Sequence, residues 1–214
     1  MTEQTKIIVV RHGECAGNIE GRVRGRTEFP LNENGVRQAH AAAEALKNEK
    51  IDCIYTSPLS RARRTAEIIA ETGGFTVRAD ERFNNMSLGP WEGRKRTELA
   101  AEFPEAWHTW LTRPDELRVP GAETFDAVQE RAVRGLEALL EAHRGGVCAI
   151  VSHRGLIKPL LAGVLQMVKP SFWKIHVDNA SISVLTHTEM HGYTLMGLND
   201  TAHLRGLSLV QEFE

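Results

Sequence analysis

The stretch Ile7-Ile8-Val9-Val10-Arg11-His12-Gly13-Glu14 decides how this chain is read. A short run of β-branched residues predicts a buried parallel strand. Open α/β sheets gather ligand groups at the carboxyl ends of such strands. His12 then stands on a rigid element and faces a crevice. Arg11 beside it supplies a planar cation suited to phosphate. A nucleophilic imidazole next to an anion clamp suits phosphoryl transfer through a phosphohistidine. For the tetrapeptide alone, a histidine at the core edge beside a surface arginine is the simpler reading, and the downstream sequence overturns it.

Val147-Cys148-Ala149-Ile150-Val151-Ser152-His153-Arg154-Gly155 repeats the pattern, with a buried strand, a histidine and a small residue opening a helix from Leu156 to about Met167. Two such strands side by side in one parallel sheet bring His12 and His153 into one crevice. A helix beginning near Arg154 aims backbone N–H groups at an anion there. Ile51 to Thr56 predicts another strand, followed by a helix carrying Arg61, Arg63 and Arg64. Ser60 reads as its N-cap and Gly73-Gly74 as its stop. Arg61, in the first turn, is expected in the crevice, with Arg63 and Arg64 on the outer surface.

At this point the chain resembles the histidine phosphatase superfamily, in its phosphoglycerate mutase-like branch. The likeness rests on Arg11-His12-Gly13-Glu14 with Asn18, Gly21-Arg22 with Gly25, Pro30-Leu31-Asn32 with Gly35, and Ser57 to Ala66. It continues through Leu88-Gly89-Pro90-Trp91-Glu92-Gly93, Pro120 to Thr124, Val151-Ser152-His153 and Asp178 to Ser181, in family order. By this resemblance His12 is the nucleophile, and Arg11, Asn18, Arg61 and His153 hold the phosphoryl group, with no metal and no cofactor. The chemistry agrees, because charge on a transferring phosphoryl group is stabilised mainly by positioned cations and donors. His12 must be unprotonated at its attacking nitrogen, whereas His153 works best as a cation.

Three departures stand out. The family usually carries a glutamate four residues before the Gly of Gly-x-Trp-Glu-Gly, which protonates the leaving alcohol; here that position is Asn85. An amide can hydrogen-bond the leaving oxygen but has no proton to give, and such acid help contributes roughly 10²–10⁴-fold. Of the nearest carboxylates, Glu92 is expected to head the next helix and Glu81 to be a surface residue. Arg24 stands where a neutral Gln is common, in a loop that also holds Arg22 and Arg26. Arg154 replaces a small residue at the mouth of the site, with Gly155 beside it; Asn18, Arg24, Arg154 and Gly155 are the expected substrate contacts.

A chain of 214 residues suits one α/β domain over 1–214. The expected fold is a three-layer α/β/α sandwich with a mostly parallel central sheet. A helical insertion at about 84–119, rich in aromatics and free of strands, covers the site. Further helices are expected from Glu33 to Lys47, capped by Asn32, and from Thr124 to His143. Two final strands run from Ser181 to Thr186 and Tyr193 to Leu198. A net charge of −2 argues against nucleic acid or an anionic membrane as partner. Cys15, Cys53 and Cys148 lack paired spacing, and Met1 to Lys6 is polar with no leader pattern, so a reducing cytoplasm is expected, as monomer or homodimer.

Some signals mislead. Cys148 to Arg154 matches Cys-x5-Arg, yet its intervening residues belong to a strand, so Cys148 reads as a small buried hydrophobe. His187, Glu189 and His191 read as a solvated turn rather than a metal site, Cys15 as pocket wall and His203 as a structural contact. The expected partner is a small anionic phosphate ester, hydrolysed as a phosphomonoester; phosphoserine and α-ribazole phosphate are the family substrates nearest in pattern. A mutase reading needs a longer insertion between Trp91 and Pro120. The other rival is a binding or regulatory protein with little turnover.

Overall fold

The computed structural model describes residues 3–209. The elements in order are β1 (Thr5–Arg11), α1 (Ala16–Ile19), α2 (Glu33–Leu46), β2 (Cys53–Thr56), α3 (Ser60–Gly73) and β3 (Val77–Ala79). They continue with α4 (Arg96–Glu102), α5 (Pro104–Thr112), α6 (Phe125–Ala142), β4 (Val147–Ser152), α7 (Arg154–Val164), β5 (Ile182–Thr188) and β6 (Gly192–Asp200). The six strands form one sheet in the order β3-β2-β4-β1-β5-β6. β1, β2, β3 and β4 are parallel, and β5 and β6 add an antiparallel hairpin beside β1.

Alternation along the strands builds two cores, because successive side chains point to opposite faces. Ile8, Val10, Ile54, Ala149 and Val151 pack against the alanine-rich α2 and α3. Ile7, Val9, Cys53, Cys148 and Ile150 face α6, α7 and the aromatics of the 84–119 segment. Cys148 is indeed a buried strand residue, and burial pushes its thiol up to about 12. The helical insertion carries α4 and α5 and no strand. Trp91 packs against Phe103 and Trp107, while Trp110 meets Phe172 and Trp173.

Several boundaries follow their caps. Asn32 accepts from the Gly35 N–H at 2.8 Å and Thr124 from Ala127 at 3.2 Å, starting α2 and α6 as expected. Gly74 ends α3 in the left-handed region at φ 72°, where glycine carries little steric cost. Ser60, however, is the first helical residue of α3 rather than its cap, and its hydroxyl binds Glu28. Glu92 does not head a helix: its carboxylate turns back onto the Leu88 N–H and the Ser87 hydroxyl and closes the turn at Gly89–Trp91. α7 stops at Val164, short of Met167. His187 lies within β5 against Tyr193, and only Glu189 and His191 occupy the exposed turn. His203 accepts its expected structural role, with Nε2 at 3.0 Å from the Ala180 carbonyl.

Candidate active site

The two histidines follow directly on neighbouring strands. β1 and β4 pair with Arg11 opposite Ser152, and the His12 N–H donates to the Ser152 carbonyl at 2.9 Å. Their rings lie 5.0 Å apart, both almost wholly buried. Gly13 permits this packing, since a Cβ there would stand 2.4 Å from the Gly35 carbonyl oxygen.

The local bonds assign the protons. His12 Nδ1 lies 2.6 Å from the Gly13 carbonyl oxygen, which can only accept. Nδ1 therefore carries the proton and Nε2 keeps its lone pair for attack. His153 Nε2 lies 2.7 Å from Ser57 Oγ, whose own hydroxyl donates to Asn84 Oδ1 at 3.3 Å. That chain makes Nε2 of His153 the donor and leaves its buried Nδ1 with no hydrogen-bond partner.

Burial, then the charges of Arg61, Arg11 and Arg24, hold His12 well below the ordinary imidazole range, against a raising effect of the Gly13 carbonyl. Burial, followed by Arg61, His12, Arg24 and Arg11, does the same to His153. The expected division into a neutral and a cationic imidazole is thus absent from the free site. Both are neutral, and His153 gains a reason to accept a proton at Nδ1 only when an anion faces it.

Arg61 is fully buried, and burial lowers it to about 10, still charged at neutral pH. Its two terminal nitrogens donate to the Gly25 and Thr27 carbonyls at 2.9 Å, leaving Nε buried and unpartnered. Arg63 and Arg64 lie outside on α3, paired with Glu67 and Glu71. Arg11 is buried and donates to the Val177 carbonyl at 2.8 Å. Asn18 is buried on α1, with Oδ1 accepting from the Cys15 N–H and thiol and Nδ2 unpartnered. Cys15 is therefore a buried support for Asn18 and not a wall of the cleft.

The open cleft is lined by His12, His153, Asn85, Arg24, Arg154 and Gly155. Arg11, Asn18 and Arg61 lie outside that lining, among the buried residues behind it. The Asn85 Nδ2 donates to the Gly25 carbonyl at 2.7 Å, and its Oδ1 is buried without a partner. A Cβ on Gly155 would stand 2.7 Å from that Oδ1, so glycine lets the amide approach α7. Arg154 stacks its guanidinium over Trp173 at 5.6 Å.

Sequence reading missed Ser57 and Arg131. Arg131, on α6, donates to the carbonyls of Glu81, Arg82, Asn84 and Asn85 and pairs with Glu123 at 3.0 Å. Arg26 reaches the same carboxylate and the same Asn85 carbonyl. These contacts hold the backbone under Asn85. No local pattern announces them, since the partners lie far apart in sequence. Among the described residues no group of three metal-ligating side chains is present, and no helix is long and apolar enough to cross a membrane.

Residues 7–201 match the histidine phosphatase superfamily (branch 1). The chain is 33% identical over 199 residues to "Phosphoserine phosphatase 1" of Hydrogenobacter thermophilus, covering 93% of this chain and 94% of that protein. It is 31% identical over 204 residues to "Probable phosphoglycerate mutase GpmB" of Yersinia pestis, with the same coverages. Among solved structures, Bacillus stearothermophilus YhfR superposes with a TM-score of 0.90 at 27% identity, covering 94% of this chain and 99% of that one. A relative with a mutase name aligns over nearly its whole length, so the length of the 84–119 segment does not separate mutase from hydrolase.

Two outcomes test the electrostatics. Arg61→Ala should weaken binding of inorganic phosphate, read by calorimetry, at least roughly tenfold, the scale of a lost buried charge partner. Arg63→Ala and Arg64→Ala should change it less than about twofold, as solvated pairs do; equal losses would mean that the helix face is wrongly assigned. Secondly, the folded histidines titrate below the unfolded value of about 6.5, so the unfolded chain binds more protons in that window. Stability is then full above that value and falls as pH drops below it, by up to about 1.4 kcal/mol per pH unit for each proton. Thermal melts from about pH 7.5 to 5 should show a steeper decline for the native protein than for a His12→Gln, His153→Gln variant. Parallel curves would mean that neither imidazole is held neutral.

Proposed function

The chain belongs to the histidine phosphatase superfamily (branch 1), and on that footing we propose that it hydrolyses a small anionic phosphate ester, as a phosphomonoesterase, through a phosphohistidine on His12. The carrying observation is the buried His12 ring, with Nδ1 engaged by Gly13, 5.0 Å from His153 and under the charges of Arg61, Arg11 and Arg24. The name of the Hydrogenobacter thermophilus relative supports hydrolysis.

In this reading Nε2 of His12 attacks phosphorus, the ester P–O bond breaks, and its electron pair leaves on the alcohol oxygen, which takes a proton from water. Arg11, Arg61 and Asn18 supply positive charge and donors to the equatorial oxygens, and His153 takes a proton on Nδ1 to face them. Arg24, Arg154 and Gly155 contact the rest of the substrate. Water then attacks the phosphohistidine, the P–N bond breaks, and its electron pair returns to Nε2. The donor set is cationic or amide, which repels a metal ion and suits a phosphate directly. The mutase-like alternative draws on the Yersinia pestis name and differs only in the acceptor, another hydroxyl compound in place of water. A ligand-binding protein with little turnover gives no phosphoenzyme.

Rapid-quench labelling with p-nitrophenyl phosphate should yield an acid-labile phosphoprotein, absent from His12→Ala, with turnover reduced to background and the fold retained. Near-native hydrolysis by His12→Ala overturns the nucleophile assignment. Chelators should leave the rate unchanged; loss in EDTA and recovery with a divalent ion would overturn direct phosphate binding.

Asn85 generates the second test. Without an acid at this position, rates should depend steeply on leaving-group pKa. Asn85→Glu should raise alkyl phosphate hydrolysis more than aryl phosphate hydrolysis, up to the roughly 10²–10⁴-fold worth of a general acid. If the variant instead slows both substrates, another group already protonates the leaving oxygen and the new carboxylate merely repels the phosphate.

A further inference from the structure

His153 meets the cleft with a lone pair, and a short chain of hydrogen bonds decides that it does. The chain begins outside the cleft at the exposed carboxylate of Glu81, an acceptor only when ionised. Asn84 Nδ2 donates to it at 2.9 Å, so the amide turns its Oδ1 the other way. There Oδ1 receives the Asn85 N–H at 2.7 Å, and the orientation of the amide is fixed from both ends. Ser57 Oγ accepts from the Leu59 N–H at 3.3 Å and donates its own proton to Asn84 Oδ1, also at 3.3 Å. With that proton engaged, the 2.7 Å contact to His153 requires a proton on Nε2. Ser57 is fully buried and Asn84 only 5% exposed, so bulk water does not compete for these bonds.

A neutral imidazole has a single N–H. Placed on Nε2, it leaves Nδ1 as a buried acceptor without a hydrogen-bond partner. A lone pair facing an anion repels it, whereas a proton on Nδ1 turns the same atom into a charge-assisted donor. The charged and titratable groups that act on His153 come from several elements. His12 and Arg11 lie at the end of β1, Arg61 on α3 and Arg24 in the loop between α1 and α2. Arg154 follows His153 as the first residue of α7. Burial, and then the first four of these groups, hold His153 neutral in the free site. An anion seated among them reverses that balance.

We propose that Ser57 and Asn84 are positioning residues that oblige an anion entering the cleft to bring a proton to Nδ1 of His153. This rests on the reading above, in which the phosphoryl group is held between His12 and His153. The proton comes from solvent, forms the Nδ1–H bond as the anion arrives, and returns to solvent when phosphate leaves. The Nε2–H bond to Ser57 is unchanged throughout. Without the chain, uptake is unnecessary. In Asn84→Ala the Ser57 hydroxyl loses its acceptor and turns onto Nε2; in Ser57→Ala, Nε2 loses its partner outright. Either way a neutral His153 places its one proton on Nδ1 and meets the anion as a donor. Uptake makes affinity depend on pH. Between the titration of free His153 and that of the complex, one proton taken up per anion weakens binding about tenfold for each unit that pH rises.

The probe is inorganic sulfate, which keeps both charges near neutral pH and so contributes no titration of its own. It is titrated into the intact protein by calorimetry at about pH 7, above the ordinary imidazole value of about 6.5. Buffers of differing ionisation enthalpy count the protons exchanged. The native protein should take up about one proton more per sulfate than Ser57→Ala, Asn84→Ala or His153→Gln. Any proton gained by Nε2 of His12 is common to all four proteins. From about pH 6.5 to 7.5 the native Kd should rise about tenfold more than that of each variant. A merely structural role for Ser57 and Asn84 would weaken sulfate binding and leave the proton count unchanged. A native count in either Ser57→Ala or Asn84→Ala overturns the proposal, as does a count that survives His153→Gln or an absence of uptake by the native protein. No binding of sulfate or phosphate to the native protein overturns the site reading and the proposal together.

Discussion

The parallel pairing of β1 with β4 is the constraint on which the rest of the site depends. Adjacent strands lie about 4.7–4.9 Å apart, and the rings of His12 and His153, one residue beyond each strand, stand 5.0 Å apart. The ring separation is thus the strand spacing carried into the crevice. Register matters as much as distance, because a slip by one residue would turn every side chain of a strand to the opposite face. The ladder from Ile7–Cys148 to Arg11–Ser152 runs through side chains buried on both faces, which makes such a slip very costly.

Around that pair the protein keeps positive charge in a place where water cannot reach it. Arg11 and Arg61 are buried; Arg11 donates to the Val177 carbonyl and Arg61 to the Gly25 and Thr27 carbonyls. Carbonyl dipoles satisfy donors without cancelling the charge, so the guanidiniums still depress both imidazoles. A carboxylate in place of the two carbonyls at Arg61 would pair its charge and leave a poorer anion site.

Much of this was written locally in the chain. The strand runs before His12 and His153, the cap at Asn32, and the stop at Gly74 are short-range signals, and each reappears in the fold. The outward placement of Arg63 and Arg64 follows from helix periodicity in the same way. β3 has only three residues and half-exposed neighbours, too short for any period to register. Ser60 and Glu92 carry the residue types that cap helices, yet tertiary partners claim their side chains. The protonation of His153 was out of reach for a different reason. It depends on Ser57, Asn84 and three arginines at once, an environment that exists only after folding.

The contacts beneath Asn85 carry a consequence for how such a cleft changes over generations. Arg131 and Arg26 grip the main chain of this segment and share Glu123, so the strap is held by atoms that every amino acid possesses. The side chain at position 85 adds one hydrogen bond, to Gly25, and otherwise hangs into the cleft. Scaffold and chemistry are thereby separated at a single codon. A lineage can exchange an amide for an acid there, or the reverse, and shift its choice of substrates while the architecture that took far longer to assemble stays in place.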